Sequence, residues 1–320
     1  MRQPPDCNHV WPRFSNPADG KGDTGPMQTV STRAELGKSV AMLKSGGKTL
    51  ALVPTMGALH EGHLTLVRRA RACADRVAVS IFVNPLQFGV NEDLDAYPRQ
   101  LAQDQRLLRA AGVDLLWAPG VAEMYPDGFA TTVSVQGLDR VLCGMHRPGH
   151  FDGVATVVLK LFNQVCPDVA LFGEKDWQQL TIIRRMARDL DLAFPRAEAI
   201  IGVPTVREPD GLALSSRNRY LSQAERASAT TLNRAMRVAV AAILAGDPVG
   251  PVLDQVRRTL LAAGFDRIDY ADLRSAETLD DLAQWHGGAA RLLVAAHIGR
   301  TRLIDNMAIE PAMAHMPEVA

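Results

Sequence analysis

At 320 residues the chain is long enough for two domains of the usual roughly 100–200 residues. Its 47% apolar and 22% charged residues are the balance of an ordinary soluble globular protein. Thirty-five Lys and Arg residues cancel thirty-five Asp and Glu, so net charge draws the chain neither to nucleic acid nor to an anionic membrane, although local basic pockets stay open.

Residues 1–26 carry Pro4, Pro5, Pro12, Pro17 and Pro26 with Gly20, Gly22 and Gly25 and no helical or strand period, which predicts a disordered tail. From Met27 the pattern alternates. Thr32 and Glu35 form a capping box ahead of a helix running to about Ser45. A short apolar strand follows over Thr49–Val53, then a helix whose Leu64, Val67, Ala70 and Ala74 recur on one face. The nearly all-apolar run Val77–Val83 reads as a central parallel strand. Further on come a helix over Leu101–Ala111, a strand over Val113–Trp117, a buried helix over Val154–Val165, a strand over Asp168–Phe172, a helix over Trp177–Leu190 and a strand over Ala199–Val203. Strands alternating with helices imply an α/β fold, a Rossmann-like doubly wound parallel sheet whose ligands sit at the carboxyl ends of the strands.

After Pro204 the texture changes. Ser222 and Glu225 cap a long Ala-rich helix, a second helix spans Val252–Ala263, and Ile268–Leu273, Arg291–Ala296 and Thr301–Asp305 read as strands of a small sheet. The expected division is therefore a tail at 1–26, a Rossmann-like domain at 27–204, and a smaller α+β C-terminal lid domain at 205–320.

Cys7, Cys73, Cys143 and Cys166 form no C-x-x-C pair and no zinc spacing with histidine, so they read as buried or idle thiols of a reducing cytoplasm. No uncharged apolar run reaches the roughly 18 residues of a membrane span, and the N-terminus lacks the apolar core of a signal peptide. A cytoplasmic protein is expected.

Four clusters carry chemistry. The first, Pro54 to His63, lies between a predicted strand and a predicted helix. Gly57 and Gly62 let backbone approach a ligand, His60 and His63 are spaced to share one face of a helical turn, and a helix N-terminus favours phosphate. Histidines used only for packing and capping are the alternative; a zinc-protease H-E-x-x-H is one residue too long for His60-Glu61-Gly62-His63. The second, Phe82 to Phe88, ends an apolar strand, where Asn84 and Gln87 would project amides into the crevice; a polar Asn-Pro turn is the alternative. The third, Gly173 to Gln179, offers Lys175 to a phosphate, with Asp176 holding a magnesium water or capping the helix. The fourth, Val206 to Asn218, offers Ser215, Ser216 and Arg217 as a mobile phosphate clamp, the alternative being a surface loop.

The pattern His60-x-Gly62-His63 resembles the HxGH signature of the nucleotidyltransferase and class I aminoacyl-tRNA synthetase superfamily. Taken together, Leu52 to Gly57, His60 to His63, Phe82 to Phe88, Arg147 to Phe151, Phe172 to Leu180, Asp210 to Asn218 and Arg302 to Asn306 resemble one family closely, the pantoate–β-alanine ligases or pantothenate synthetases. The resemblance runs from about Met27 to about Glu310.

It implies a pantoyl adenylate formed from ATP and pantoate, then captured by β-alanine. ATP would lie along Met56, Gly57, Ala58, Leu59, His60, Glu61, Gly62 and His63, with His63 as proton donor and His60 on phosphate. Gly173, Glu174, Lys175 and Asp176 would form an ATP-binding strip with Lys175 on phosphate. Val206 would contact adenine, and Leu214, Ser215, Ser216 and Arg217 phosphate. Gln87 and Gln179 would hold pantoate, Gln87 also β-alanine, and Asn84 would line the same pocket. The resemblance also implies magnesium, a homodimer and small-molecule substrates; nucleic-acid binding, which the synthetase likeness suggests, is disfavoured by the zero net charge and the lack of an appended basic domain, and no membrane partner is expected. Competing readings are another nucleotidyltransferase, which would share the histidines without needing the three amides, and a non-catalytic nucleotide sensor.

Overall fold

A computed structural model describes residues 26–89, 94 and 97–310. The expected tail, Pro26 apart, and Cys7 lie outside the described residues. The chain divides into two units. The first runs to Ser134 and adds Asp152–Gly173 and Ile183–Val203; the second takes Val135–Phe151, Glu174–Ile182 and everything from Pro204.

The first unit is built on six strands: β1 (Gln28–Val30), β2 (Leu50–Thr55), β3 (Arg76–Ile81), β4 (Leu115–Trp117), β5 (Val169–Gly173) and β6 (Ile200–Val203). Their order is β1-β4-β3-β2-β5-β6, and every pair is parallel. A parallel sheet is covered on both faces, which is why Leu50, Ala51, Leu52 and Val53 are all apolar and all fully buried. Ala51 and Val53 of β2 pack with Leu66, Val67 and Ala70 of helix α2 (Glu61–Cys73) and Leu108 of α3 (Leu101–Ala110). On β5, Leu171 joins that cluster, whereas Phe172 meets Phe162 of α6 (His150–Val165) edge to face at 6.3 Å, so the helices lie on opposite faces. Each such buried Leu, Val or Phe contributes about 1.5–3 kcal/mol. Helix α1 (Arg33–Leu43) starts at the expected capping box of Thr32 and Glu35, and the short helices α4 (Val121–Met124) and α5 (Cys143–His146) precede α6 in the chain. The expected strand ending at Val83 stops at Ile81, just before the Asn84-Pro85 breaker. Strand β1, with three residues, has too short a period to be read from sequence; it exists by pairing with β4.

One glycine sets a close approach. A Cβ on Gly153, in the first turn of α6, would overlap Leu86 O and lie 2.7 Å from Gln87 N. Gly153→Ala is expected to cost about 1–3 kcal/mol, read as a lower denaturation midpoint, because backbone rather than a flexible side chain must give way.

Helix α7 (Trp177–Asp189) begins in the second unit and ends in the first. The second unit also holds α8 (Gln223–Leu244), α9 (Val249–Ala262) and the antiparallel sheet β7 (Arg267–Ser275), β8 (Ala290–Ile298), β9 (Thr301–Ile309). Ser222 and Glu225 cap α8 reciprocally, as expected. Leu292, Val294 and Ala296, alternate residues of β8, face Leu232, Met236 and Leu260 of the two helices. No helix among the described residues is long and apolar enough to cross a membrane.

Candidate active site

Strands β3 and β4 follow β2 on one side, and β5 and β6 lie on the other, so the winding reverses at β2. Ligands of doubly wound sheets bind at the carboxyl ends beside such a reversal. The carboxyl end of β2 is Thr55, and Met56 to His63 follow it.

This turn passes through the left-handed region twice, at Gly57 (φ 83°) and Ala58 (φ 51°). Glycine adopts it without cost, whereas alanine pays about 1–2 kcal/mol. Asp104 of α3, 1% exposed, holds the turn: its Oδ2 accepts the Ala58 N–H at 3.0 Å and its Oδ1 the Leu59 N–H at 2.9 Å. Thr55 Oγ1 accepts the Gly57 N–H and donates to Ser80 O.

His60 stands at the N-cap of α2, not within a helical turn as its spacing suggested. Its Nδ1 accepts the Gly62 N–H at 3.2 Å, and His63 Nδ1 accepts the His60 N–H at 3.3 Å, a capping box made of two imidazoles with ring centroids 4.1 Å apart. An Nδ1 that accepts leaves the proton of the neutral ring on Nε2. Gly62 is required here, since a Cβ would sit 2.9 Å from His60 Cε1. Glu61 pairs with Arg68 along α2.

Beyond β3, Asn84 caps the 3-10 turn Pro85–Gln87, and Gln87 is its last residue. Gln87 Nε2 lies 3.1 Å from Met56 Sδ, which joins this cluster to the first. Asn84 differs from expectation. It is 1% exposed, and its amide serves the protein: Oδ1 accepts from Leu86 N–H and Tyr125 O–H, while Nδ2 donates to Gly153 O and Gln87 Oε1. An Asn-Pro turn at a strand end is closed by the Asn side chain itself, so the amide turns inward instead of into the crevice.

In the second unit, Glu174–Asp176 form a 3-10 turn directly after β5. Asn306 Nδ2 donates to Glu174 O at 2.8 Å and Lys175 O at 2.9 Å, and Asn306 Oδ1 accepts from Arg291 at 2.7 Å. Arg291 also pairs with the Glu174 carboxylate at 2.9 Å and stacks 3.5 Å over Trp177. Glu174 is thereby committed to fixing the strip, and Lys175, with Nζ 3.9 Å from Asp176 Oδ1, supplies its positive charge. Gln178 is buried and locked to Leu138 O, Val141 O and Cys143 N–H, while the adjacent Gln179 is half-buried about 100° around the helix.

Val206 and Leu214 close a hairpin through Leu214 N–H to Val206 O at 3.0 Å, turning at Gly211 (φ 94°). Arg207 clamps it to Asp305 bidentately at 2.7 and 2.9 Å. Ser215 then caps the 3-10 segment Ser216–Tyr220 by accepting the Arg217 N–H. Cys143 is a buried free thiol, as expected, and its Sγ lies 3.0 Å from Tyr270 Oη and 3.4 Å from both Arg302 Nη atoms. Burial and the neighbouring Cys143 raise the Tyr270 hydroxyl well above its ordinary range. His146 faces Asp269 at 4.0 Å, and His150 meets Arg147 at 3.0 Å.

Asp104, Tyr125, Gly153 and Arg291 escaped the sequence reading. None belongs to a short motif, and each acts from more than twenty residues away on the segment it supports. Only Tyr125, in Met124-Tyr125-Pro126 between apolar elements, left a local trace.

A doubly wound parallel sheet with two histidines and a glycine at its winding reversal defines an α/β enzyme of the HxGH nucleotide-activating class. The chain belongs to the pantoate–β-alanine ligase family, which it matches over residues 28–308. It is 66% identical to the pantothenate synthetase of Novosphingobium aromaticivorans over 89% of this chain and 100% of that one, and 56% identical to that of Sphingopyxis alaskensis over 88% and 100%. The solved pantothenate synthetase of Thermus thermophilus superposes with a TM-score of 0.83 at 51% identity, covering 89% of this chain and all of the other. A pantoate–β-alanine ligase from Francisella tularensis, solved in complex with β-γ ATP and β-alanine, superposes with a TM-score of 0.73 at 32% identity, covering 90% of this chain and all of the other. The chain is accordingly a ligase that joins pantoate to β-alanine.

Proposed function

We propose that the ligation runs through a pantoyl adenylate and that the two capping histidines are its centre. The observation that carries this reading is the reciprocal cap, which commits both Nδ1 atoms to backbone and gives both rings an Nε2–H as donor. A pantoate carboxylate oxygen attacks the α-phosphorus of ATP, the bond to the bridging oxygen breaks, and pyrophosphate leaves. Negative charge gathers on phosphate oxygens in that transition state, where fixed donors and cations act most strongly. His63 donates to the departing charge and His60 to a neighbouring phosphate oxygen. Lys175 and Arg217 supply positive charge, with the Ser215 and Ser216 hydroxyls beside them. Met56 to Leu59, Gly173 and Glu174 shape the backbone along the nucleotide, and Val206 and Leu214 face adenine and phosphate.

Gln87 and Gln179 hold pantoate. The β-alanine amine then attacks the acyl carbon, sheds a proton, and AMP leaves, with no covalent enzyme intermediate. Magnesium fits the donor chemistry present: the half-exposed Asp176 carboxylate is a hard oxygen ligand beside Lys175, suited to an ion that takes most of its ligands from phosphates and water. The ion supplies charge neutralisation on the phosphates. The family likeness also supports a homodimer working in the cytoplasm.

Isotope exchange between pyrophosphate and ATP, with magnesium and without β-alanine, tests the adenylate. Exchange is expected only when pantoate is present, and β-alanine should then release AMP. Exchange without pantoate, or none with it, refutes the adenylate route.

A further inference from the structure

The donor and acceptor inventory around Asn84 determines which end of the Gln87 amide serves the substrate. Leu86 N–H can only donate, so the atom of Asn84 that faces it at 3.3 Å must be Oδ1. Gly153 O can only accept, so the atom that faces it at 3.0 Å must be Nδ2. Two backbone groups of opposite character thus set the direction of the Asn84 amide, and a third and shorter bond, from Tyr125, holds it there. The consequence passes outward in two directions. Tyr125 Oη, 2.8 Å from Oδ1, must donate its proton there. Gln87, 3.2 Å from Nδ2, must present Oε1 as acceptor, which turns its Nε2 toward Met56.

We infer that Tyr125 is a positioning residue for the acid substrate: through Asn84 it holds Gln87 so that Nε2, which also donates to Met56 Sδ, and not the carbonyl is turned toward a ligand oxygen. The recognised chemistry is then an acceptor, a carboxylate or hydroxyl oxygen, and an amine or amide N–H at that place is rejected because it would meet another donor. This rests on the reading that Gln87 holds pantoate. Burial, which raises the Tyr125 hydroxyl far above its ordinary range, keeps it a donor at every working pH. Its ring packs against Phe82 and Phe129 at centroid distances of 6.0 and 4.9 Å, so removal of the hydroxyl alone leaves the packing in place.

The test is a double-mutant cycle on the full-length enzyme, with KM and kcat measured separately for pantoate and ATP. Tyr125→Phe is expected to raise the pantoate KM about threefold to tenfold, to leave the ATP KM close to wild type, and to lower the melting temperature by no more than about 2–4 °C, the loss of one buried hydrogen bond. In a Gln87→Ala background the same change should move the pantoate KM by less than about twofold, because the group through which it acts is gone. A Tyr125→Phe penalty that multiplies undiminished onto Gln87→Ala, or that raises the ATP KM equally, overturns the relay and leaves Tyr125 a packing residue. A Gln87→Ala enzyme with a wild-type pantoate KM overturns instead the underlying assignment of Gln87. Asn84→Asp keeps the shape but removes the N–H, so Gln87 must turn to donate; its pantoate KM should rise at least as far as that of Tyr125→Phe, and an unchanged value also overturns the relay.

Discussion

Replacing His63 by alanine is expected to slow pantoate-dependent exchange between pyrophosphate and ATP by about 10²–10⁴-fold, the range for a positioned acid or a fixed donor at a developing charge. The loss should fall on kcat, since a donor that strengthens only as charge develops contributes little to ground-state binding. Part of the effect is structural, because His63 Nδ1 also accepts the His60 N–H, and the ring of His60 rests against it. His63→Gln separates the two contributions. Its amide can donate a hydrogen bond but not release a proton, so partial recovery of exchange means that hydrogen bonding stabilises the transition state. A glutamine enzyme as slow as the alanine one means that proton release is the essential act.

Asp104→Ala is expected to have an effect of similar size without touching any substrate. The carboxylate is sealed in the protein and accepts both N–H groups of the strained Ala58–Leu59 turn. Its removal leaves two buried donors unsatisfied, at about 1–3 kcal/mol each, and frees a turn that alanine does not favour by itself. A stability loss of about 2–5 kcal/mol in denaturant melts should accompany a fall in exchange rate of about 10²-fold, since displacement of a reacting group by roughly 1 Å costs that much. Asp104→Asn keeps one acceptor but sets an amide N–H against a backbone N–H, so it should recover little. An Asp104→Ala enzyme that melts lower yet exchanges at the wild-type rate would show that the turn needs no help to present His60.

The parts of the fold governed by local periodicity were legible in the sequence. The capping boxes at Thr32 and Ser222, the apolar runs of β2 and β3, and the three strands after α9 fell within a few residues of expectation, because burial of one or both faces writes a period into the chain. Placement of Met56–His63 at the winding reversal follows from strand order, which the alternation of strands and helices implied without specifying. Side-chain direction was not legible. Asn84 was expected in the crevice, yet the backbone of Leu86 and Gly153 claims both ends of its amide. His60 was expected within a helical turn, whereas it forms the cap that starts one. In both cases the side chain satisfies nearby backbone first, and the backbone partners are known only once the turn is closed. Asp104 and Arg291 were beyond reach for a related reason, since each supports a segment distant in sequence and no spacing records such a partnership; Asn306 lay in a recognised passage, but its bonds to Glu174 and Lys175 did not show there.

The imidazole cap of α2 ties two choices together, where the helix starts and which ring nitrogen carries the proton. An isolated histidine exchanges its proton between ring nitrogens, and a catalytic site must ordinarily select one isomer from the two. Here helix initiation makes the selection, since the turn closes only when both Nδ1 atoms are bare. The two rings should therefore show a single tautomer by ¹⁵N chemical shift before any nucleotide arrives. A ring that carries its proton on Nδ1 forfeits its cap bond, so the free energy that forms the turn is also the free energy that selects the reactive isomer.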